Sequence, residues 1–192
     1  GMTVISPSDA IEAEAAVHAA YEIDGPVYMR FGRLPVPVIN DRPDYTFEVG
    51  KGIVLREGTN VTLVATGLMV GTVLEVAEEL ARVGISAEVI NIHTIKPIDV
   101  DLLVASAQKT GRVVTVEEHL VDTGMGSAVA ALLAEKRPTP IHLVGMRGFG
   151  TSAPGDVLLE HFGLDGAGVA RQVAKYGLDK ASVLAKVQEF CR

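Results

Sequence analysis

Short runs of apolar residues alternate with segments of helical periodicity along most of the chain after residue 50. The runs are rich in β-branched residues, and the segments between them, such as residues 71–83, carry apolar residues three or four positions apart. Strands that alternate with helices of about 10–15 residues are typical of β–α–β crossovers. The pattern therefore predicts an α/β fold with a mostly parallel five-stranded sheet between two helical layers, a three-layer α/β/α architecture. The five strands are predicted in "GIVLRE", "VTLVA", "AEVINIH", "RVVTVEE" and "IHLVGM".

A shorter unit precedes this region. "MTVIS" and "VYMRFG" each predict a strand, and the segment between them predicts a helix that Asp9 can cap. A single strand–helix–strand unit cannot cover both faces of its own sheet. We therefore expect residues 1–36 to be the tail of a domain whose beginning lies outside this sequence, which would make the chain a fragment or a proteolysed chain. Gly1 is alternatively a tag remnant.

A proline-rich segment joins the two regions. Pro35, Pro37 and Pro43 lie within nine residues and disfavour both a helix and a central strand. We expect an extended linker over residues 37–50 and a larger domain over residues 51–192. Short helices are predicted in the last part of that domain, in "PGDVLLEHFG", "DGAGVARQVAKYG" and "DKASVLAKVQEF".

The composition restricts the class of protein. The formal net charge of −7 argues against a general nucleic-acid binder. Cys191 is the single cysteine, which excludes an intramolecular disulfide and favours a reducing compartment. No apolar run approaches the roughly 20 residues that span a bilayer, and the first residues lack the basic start and apolar core of a signal peptide. We expect a soluble, cytoplasmic chain that binds neither nucleic acid nor a membrane.

Three adjacent polar residues, Glu117, Glu118 and His119, end the predicted strand "RVVTVEE". Ligands gather at the carboxyl ends of strands in open α/β sheets, so acid–base chemistry is one interpretation. A metal site is disfavoured because neighbouring strand residues point to opposite faces. The favoured interpretation is structural: one glutamate accepts backbone N–H groups in the turn that follows.

Two glycine-containing stretches could hold an anion. Gly124 and Gly126 open a predicted helix, but the third glycine of a dinucleotide fingerprint and the lysine of a P-loop are both missing. Glycines there favour close packing of the helix on the sheet, and a phosphate at the helix N-terminus is the less favoured alternative. The segment 147–156, "RGFGTSAPGD", is interpreted first as an ordinary loop with Ser152 as a helix cap and second as an anion site.

Two arginines stand at the end of the strand "VYMRFG". Arg30 and Arg33 suit bidentate binding of a phosphate or carboxylate, and a structural ion pair is an equal alternative on the residue chemistry alone. No Ser–His–Asp order, C-x-x-C pair or H-E-x-x-H motif occurs. The histidines His93, His142 and His161 have no matched partner, so a core or surface role is expected for each.

Five motifs follow one another along the chain: "GPVYMRFGR", "VTLVATGLMV", "INIHTIKPID", "VVTVEEHLVDTGMGSAVAALLAE" and "GFGTSAPGDVLLEHFGLD". In this order they resemble the C-terminal region of transketolases, and most closely the C-terminal subunit of two-gene transketolases. The "KPID" and "VTVEEH" pieces are shared with 1-deoxy-D-xylulose-5-phosphate synthase and with the β-subunits of 2-oxo acid dehydrogenases.

The resemblance implies a dimeric enzyme of three α/β domains. The first domain holds thiamine diphosphate with Mg²⁺ or Ca²⁺, and the second binds the pyrimidine ring and supplies an activating glutamate. The third, C-terminal domain is mainly structural. Residues 1–36 would be the end of the pyrimidine-binding domain, residues 51–192 the third domain. Catalytic, cofactor-binding and metal-binding residues would then lie outside this chain, on an N-terminal subunit or segment.

One functional position carries over from the family. Arg33 matches the arginine that binds the phosphate of the sugar substrate, and Arg30 matches a neighbouring arginine of deoxyxylulose-phosphate synthases. The resemblance thus implies a transketolase of the pentose phosphate pathway, which moves a two-carbon ketol unit between sugar phosphates, with this chain inactive and cofactor-free alone. Alternatives are one of the two related enzymes or, in another class, a non-catalytic interaction or nucleotide-binding module.

Overall fold

The computed structural model describes residues 1–176 of the chain. The predicted helix in "DKASVLAKVQEF" lies outside the described residues. None of the helices within residues 1–176 is long and apolar enough to cross a membrane. The strands are β1 (Thr3–Ile5), β2 (Val27–Met29), β3 (Ile53–Arg56), β4 (Val61–Ala65), β5 (Ala87–Asn91), β6 (Thr94–Lys96), β7 (Val113–Leu120) and β8 (Ile141–Met146). The helices are α1 (Ala10–Tyr21), α2 (Met69–Arg82), α3 (Val100–Thr110), α4 (Met125–Lys136), α5 (Gly155–His161) and α6 (Gly166–Lys175).

The larger sheet has the strand order β3-β5-β4-β7-β8. Strands β5, β4, β7 and β8 run parallel, and β3 joins the edge of β5 antiparallel. Every residue of β4 and β5 is buried, as expected for central strands that are covered on both faces. The prediction of a mostly parallel five-stranded sheet is confirmed.

Helices cover both faces of this sheet. On one face α2 and α6 pack around buried residues that include Val73 and Val169, and on the other α3 and α4 pack around Leu103 and Val129. The buried residues of α2 recur three or four positions apart, which places its apolar stripe against the sheet. The three-layer α/β/α architecture is therefore confirmed.

A second, three-stranded sheet has the order β2-β1-β6. β1 pairs with β2 in parallel, and β6 pairs with β1 antiparallel. The predicted strand "AEVINIH" ends at Asn91, and after two residues the chain enters β6 in the other sheet. The N–H of Ser6 donates to the carbonyl of His93 over 2.8 Å and so joins the two sheets where this transfer occurs.

The linker contains no helix or strand between Met29 and Ile53, as its prolines predict. The first helix, α1, is capped by Asp9, whose carboxylate accepts the N–H of Glu12. Its apolar residues Val17 and Tyr21 are 52% and 88% exposed, while Glu12 is fully buried. Glu12 faces inward because a set of polar side chains surrounds its carboxylate.

Candidate functional site

Strand ends from both sheets meet at one place in the structure. Ser6 follows β1, Arg30 follows β2, Gly67 follows β4, and Glu118 and His119 lie near the carboxyl end of β7. A side chain at Gly67 would lie 2.8 Å from Ser6 Oγ and 3.3 Å from Arg30 Nη2, and this residue has a positive φ of 57°. The carboxyl ends of strands are where α/β sheets bind ligands, so these residues define the candidate site.

Glu117 caps helix α4. Its carboxylate accepts the N–H groups of Met125 and Gly126, each over 2.7 Å, and it is 1% exposed. Burial raises the pKa of Glu117, and the two N–H donors oppose that rise. The structural interpretation of one glutamate in "VEEH" is thus confirmed.

The glycines before and inside α4 make this contact possible. A Cβ at Gly124 would overlap the Glu117 carboxylate, and a Cβ at Gly126 would lie 2.6 Å from Thr115 Oγ1. Close packing of the helix on the sheet is therefore confirmed as the role of these glycines. The protein's own carboxylate occupies the position at this N-terminus that a phosphate would take, which disfavours a nucleotide there.

Arg30 joins three segments of the chain. Its Nη1 donates to Glu118 Oε1 over 3.0 Å and lies 2.7 Å from His119 Nδ1, while its Nη2 donates to Ser6 Oγ over 2.8 Å. Its backbone N–H donates to the carbonyl of Ile5 over 2.9 Å. Arg30 therefore forms a structural ion pair, one of the two alternatives left open by the sequence.

The electrostatics of this cluster follow from its burial. Burial, followed by the adjacent Arg30, lowers the pKa of His119 to about 4, so the ring is neutral at pH 7 and can accept an N–H of Arg30. Burial raises the pKa of Glu118, and Arg30 opposes that rise. Glu118 and His119 therefore act as partners of the arginine.

Arg33 lies in a different environment. It is exposed, and within residues 1–176 its guanidinium makes no hydrogen bond or ion pair. It lines a pocket of about 480 Å³ together with Leu34 and with Pro154, Gly155 and the α5 residue Leu158. Within residues 1–176, Arg30 is thus engaged by side chains of its own chain, whereas the guanidinium of Arg33 has no such partner and is open to a ligand.

The loop that follows β8 supplies the far wall of this pocket. The expectation that Ser152 caps a helix is wrong, because α5 begins at Gly155 and its N-cap is Pro154, without a side-chain hydrogen bond. Phe149 in the same loop is fully exposed. The loop places Pro154 and Gly155 in the wall of the Arg33 pocket. Leu34, next to Arg33, packs closely against Gly155, where a Cβ would lie 2.7 Å from Leu34 Cδ2.

A buried polar cluster was not predicted from the sequence. Glu12 Oε2 accepts from the N–H and the hydroxyl of Ser8, each over 2.7 Å, and Asn91 Nδ2 donates to both Glu12 oxygens. Tyr45 donates its hydroxyl to Glu12 Oε1 over 3.3 Å. Burial raises the pKa of Glu12, and these donors oppose that rise.

The same cluster holds the linker. Asp9 Oδ2 accepts the N–H groups of Ile39 and Asn40, each over 2.8 Å, and Asn40 Nδ2 donates to Ser8 Oγ. The cap residue Asp9 could be identified from the sequence, but nothing local links it to a residue 31 positions away. The linker is therefore fixed by polar contacts to the first turn of α1 and to the residues just before it.

The histidines take the structural roles expected of them. His93 is fully buried beside Phe47, with ring centroids 4.3 Å apart, and burial lowers its pKa to about 4. His142 stacks on Tyr176 at 4.8 Å, and His161 packs edge-on against Phe162.

A wider pocket of about 660 Å³ lies between the small sheet and α4. Its walls include Ile95, Met125 and Ala128 as well as the charged side chains of Arg30 and Lys96. Within residues 1–176, however, no group of three or more His, Cys, Asp or Glu side chains is placed to hold a metal ion. The described residues around this pocket therefore do not fit a site for a divalent cation.

Comparison with known proteins agrees with this fold. Residues 50–169 match the family model of the transketolase C-terminal domain. A 6-deoxy-6-sulfo-D-fructose transketolase subunit of Clostridium sp. (strain MSTE9) is 46% identical over 172 residues, covering 89% of this chain and 53% of the relative. A solved structure described as a split gene transketolase, an inactive β4 tetramer, has a TM-score of 0.83 and 45% identity, covering 98% of this chain and 57% of that one.

Relatives with two other activities also match. The 1-deoxy-D-xylulose-5-phosphate synthase of Heliobacterium modesticaldum is 36% identical over 95% of this chain and 29% of its own length. The pyruvate dehydrogenase E1 β-subunit of Staphylococcus epidermidis (strain ATCC 35984) is 40% identical over 71% of this chain and 43% of its own length. The chain spans about half the length of its transketolase-subunit relative. Since the family model covers most of the chain, the chain belongs to the transketolase family, as a C-terminal part of the split type.

Proposed function

We propose that this chain is the C-terminal subunit of a two-gene, thiamine-diphosphate-dependent transketolase that moves a two-carbon ketol unit between sugar phosphates. Its resemblance to subunits of split transketolases supports this proposal. Thiamine diphosphate supplies the carbanion chemistry of such enzymes, and an N-terminal subunit would hold the cofactor and its metal. The contribution of this chain is to bind and orient the substrate.

The chain is proposed to divide at the linker, although β6 of the C-terminal domain completes the small sheet of the first segment. Residues 1–36 would complete the pyrimidine-binding domain, residues 37–50 are the linker, and residues 51–192 form the C-terminal domain. The start of the family match at residue 50 supports the second boundary. The assembled enzyme would contain two copies of each subunit and work in the cytoplasm.

The chain alone is proposed to be inactive. The described residues offer no metal-binding cluster, and Glu117 and Glu118 are both engaged in structural contacts. The related solved structure of β chains, described as inactive, is consistent with this proposal.

The proposal that the substrate carries an anionic group rests on the environment of Arg33. Its guanidinium is exposed and has no hydrogen-bond or ion-pair partner among residues 1–176, and it lies in a pocket next to the loop after β8. An arginine fork binds a phosphate bidentately, and anchoring the far end of a sugar phosphate orients the carbonyl that reacts. Arg33 would therefore lower the KM for substrates that carry an anionic end.

A sulfonate end is the second candidate. The relative at 46% identity is named for a sulfo-sugar, and the pocket around Arg33 is otherwise lined by apolar residues and glycine. A single guanidinium suits the single charge of a sulfonate as well as it suits a phosphate.

The test is reconstitution with the N-terminal transketolase subunit of the same organism. Two-carbon transfer from D-fructose 6-phosphate or from 6-deoxy-6-sulfo-D-fructose is expected in the mixture and not in either subunit alone. Formation of 1-deoxy-D-xylulose 5-phosphate or oxidative decarboxylation of pyruvate would instead assign the chain to one of the two related enzymes.

A further inference from the structure

We propose that Arg30 is a positioning residue for Arg33. Through Ser6, Glu118 and His119 it holds the turn after β2 so that the Arg33 side chain faces the anionic end of the substrate. This inference rests on the proposed function, and it assigns Arg30 a role other than direct binding of phosphate. The proposal also assigns Glu118 and His119, near the end of β7, an indirect role in substrate binding.

The backbone around Arg33 explains why such a residue is needed. Residues 31–34 make no backbone hydrogen bond within the described part of the chain, and Phe31 and Gly32 are exposed. The N–H of Arg30, bonded to Ile5, is the last backbone contact that fixes the chain before Arg33. On the other side, Leu34 packs against Gly155. Arg33 thus lies between two fixed points, of which Arg30 is the polar one.

The side-chain contacts of Arg30 indicate that it holds neighbouring segments in place. Its guanidinium is bonded to a carboxylate, a neutral imidazole and a hydroxyl that come from two different strand ends. These acceptors fix its position more firmly than one ion pair would, because each of them is itself held by a strand end. Gly67 leaves room for the arrangement, since a Cβ there would press on both Ser6 and Arg30.

Arg30 and Arg33 differ in whether a carboxylate compensates their positive charge. Glu118 lies 3.0 Å from Arg30 and compensates its charge, with both side chains largely buried. A phosphate bound directly by Arg30 would have to replace that carboxylate. Arg33 has no such counter-charge among the described residues, so its positive charge is not compensated by them and can attract an anionic ligand.

The experiment measures KM and kcat for D-fructose 6-phosphate in the reconstituted enzyme carrying Glu118→Gln, Arg33→Ala or both. Glu118→Gln keeps the size of the side chain and weakens the hold on Arg30. We expect KM to rise about 3–10-fold with kcat changed less than about twofold, since the guanidinium of Arg33 is then poorly placed. In the Arg33→Ala background, Glu118→Gln is expected to raise KM no further, because there is no guanidinium left to position.

Direct binding of phosphate by Arg30 would give the opposite pattern. Removing the Glu118 charge would then free Arg30, so KM would fall or stay unchanged, and that result overturns the proposal. Additive effects of the two substitutions would overturn it as well. Ser6→Ala serves as a second variant if Glu118→Gln lowers the melting temperature. It removes the hydroxyl that accepts a hydrogen bond from Arg30, and it is also expected to raise KM. A wild-type mixture without any two-carbon transfer would instead contradict the proposed function.

Discussion

Gly126 donates its backbone N–H to Glu117 across a distance of 2.7 Å, and at the same position there is no room for a side chain. The contact lets α4 begin directly on the surface of β7, with a carboxylate at the positive end of the helix dipole. The stretch "VEEHLVDTGMG" therefore forms a strand-to-helix turn that is stabilised by its own side chain, and Glu117 does not line the pocket around Arg33 that is proposed to bind substrate.

Gly126→Ala is expected to destabilise the fold by about 1–3 kcal/mol, because the new methyl group would press on Thr115 and on the Glu117 carboxylate. Urea unfolding of the purified chain measures the change. Gly166 at the start of α6 is the matched control: nothing lies within 4 Å of its Cβ position, so Gly166→Ala is expected to be neutral or slightly stabilising. Equal effects of the two substitutions would argue against the close contact.

Glu12→Gln is expected to cost about 2–4 kcal/mol in the free energy of unfolding. An amide nitrogen would face donors from Ser8, Asn91 or Tyr45, and charge-assisted hydrogen bonds would be lost. Glu14→Gln, on the exposed side of the same helix, is expected to change stability by less than about 0.5 kcal/mol. A small effect at Glu12 would mean that the linker is held mainly by Asp9.

The burial of His93 predicts a pH dependence of stability. Its pKa is about 4 in the folded protein, against 6.5 as the ordinary value. The unfolded chain therefore binds more protons between these values, so His93 lowers the free energy of unfolding as the pH falls from 6.5 to 4, by up to about 3 kcal/mol. His93→Gln is expected to flatten the stability profile in this range, whereas His18→Gln, at an exposed position, serves as the control. Parallel profiles for wild type and His93→Gln would contradict the assignment.

The sequence predicted those features that depend on local periodicity. The five strands of the large sheet, the apolar face of α2 and the cap at Asp9 follow from residue spacing and from cap chemistry. The capping role of one glutamate in "VEEH" also followed, because the partners of Glu117 lie only eight and nine residues away; the structure identifies which glutamate it is.

The features that escaped prediction depend on distant pairs. Arg30 meets Glu118 across 88 positions, and Asn91 meets Glu12 across 79, so no local pattern indicates either contact. The transfer of the chain from β5 into β6 was missed for a similar reason, since "AEVINIH" has the pattern of one continuous strand and the partner of β6 is the distant strand β1. The exposure of Val17 and Tyr21 follows from the burial of Glu12, which helical spacing alone does not reveal.

The KM of the reconstituted enzyme carrying Arg33→Ala tests the account most directly. Loss of a charge-assisted contact to phosphate is expected to raise the KM for D-fructose 6-phosphate about 10–100-fold. Arg137→Ala, at the end of α4 and just before the amino end of β8, serves as the control and is expected to change KM less than about twofold. An unchanged KM for Arg33→Ala, in a mixture that carries out two-carbon transfer, would contradict the assignment of Arg33 as the anchor for the anionic end of the substrate.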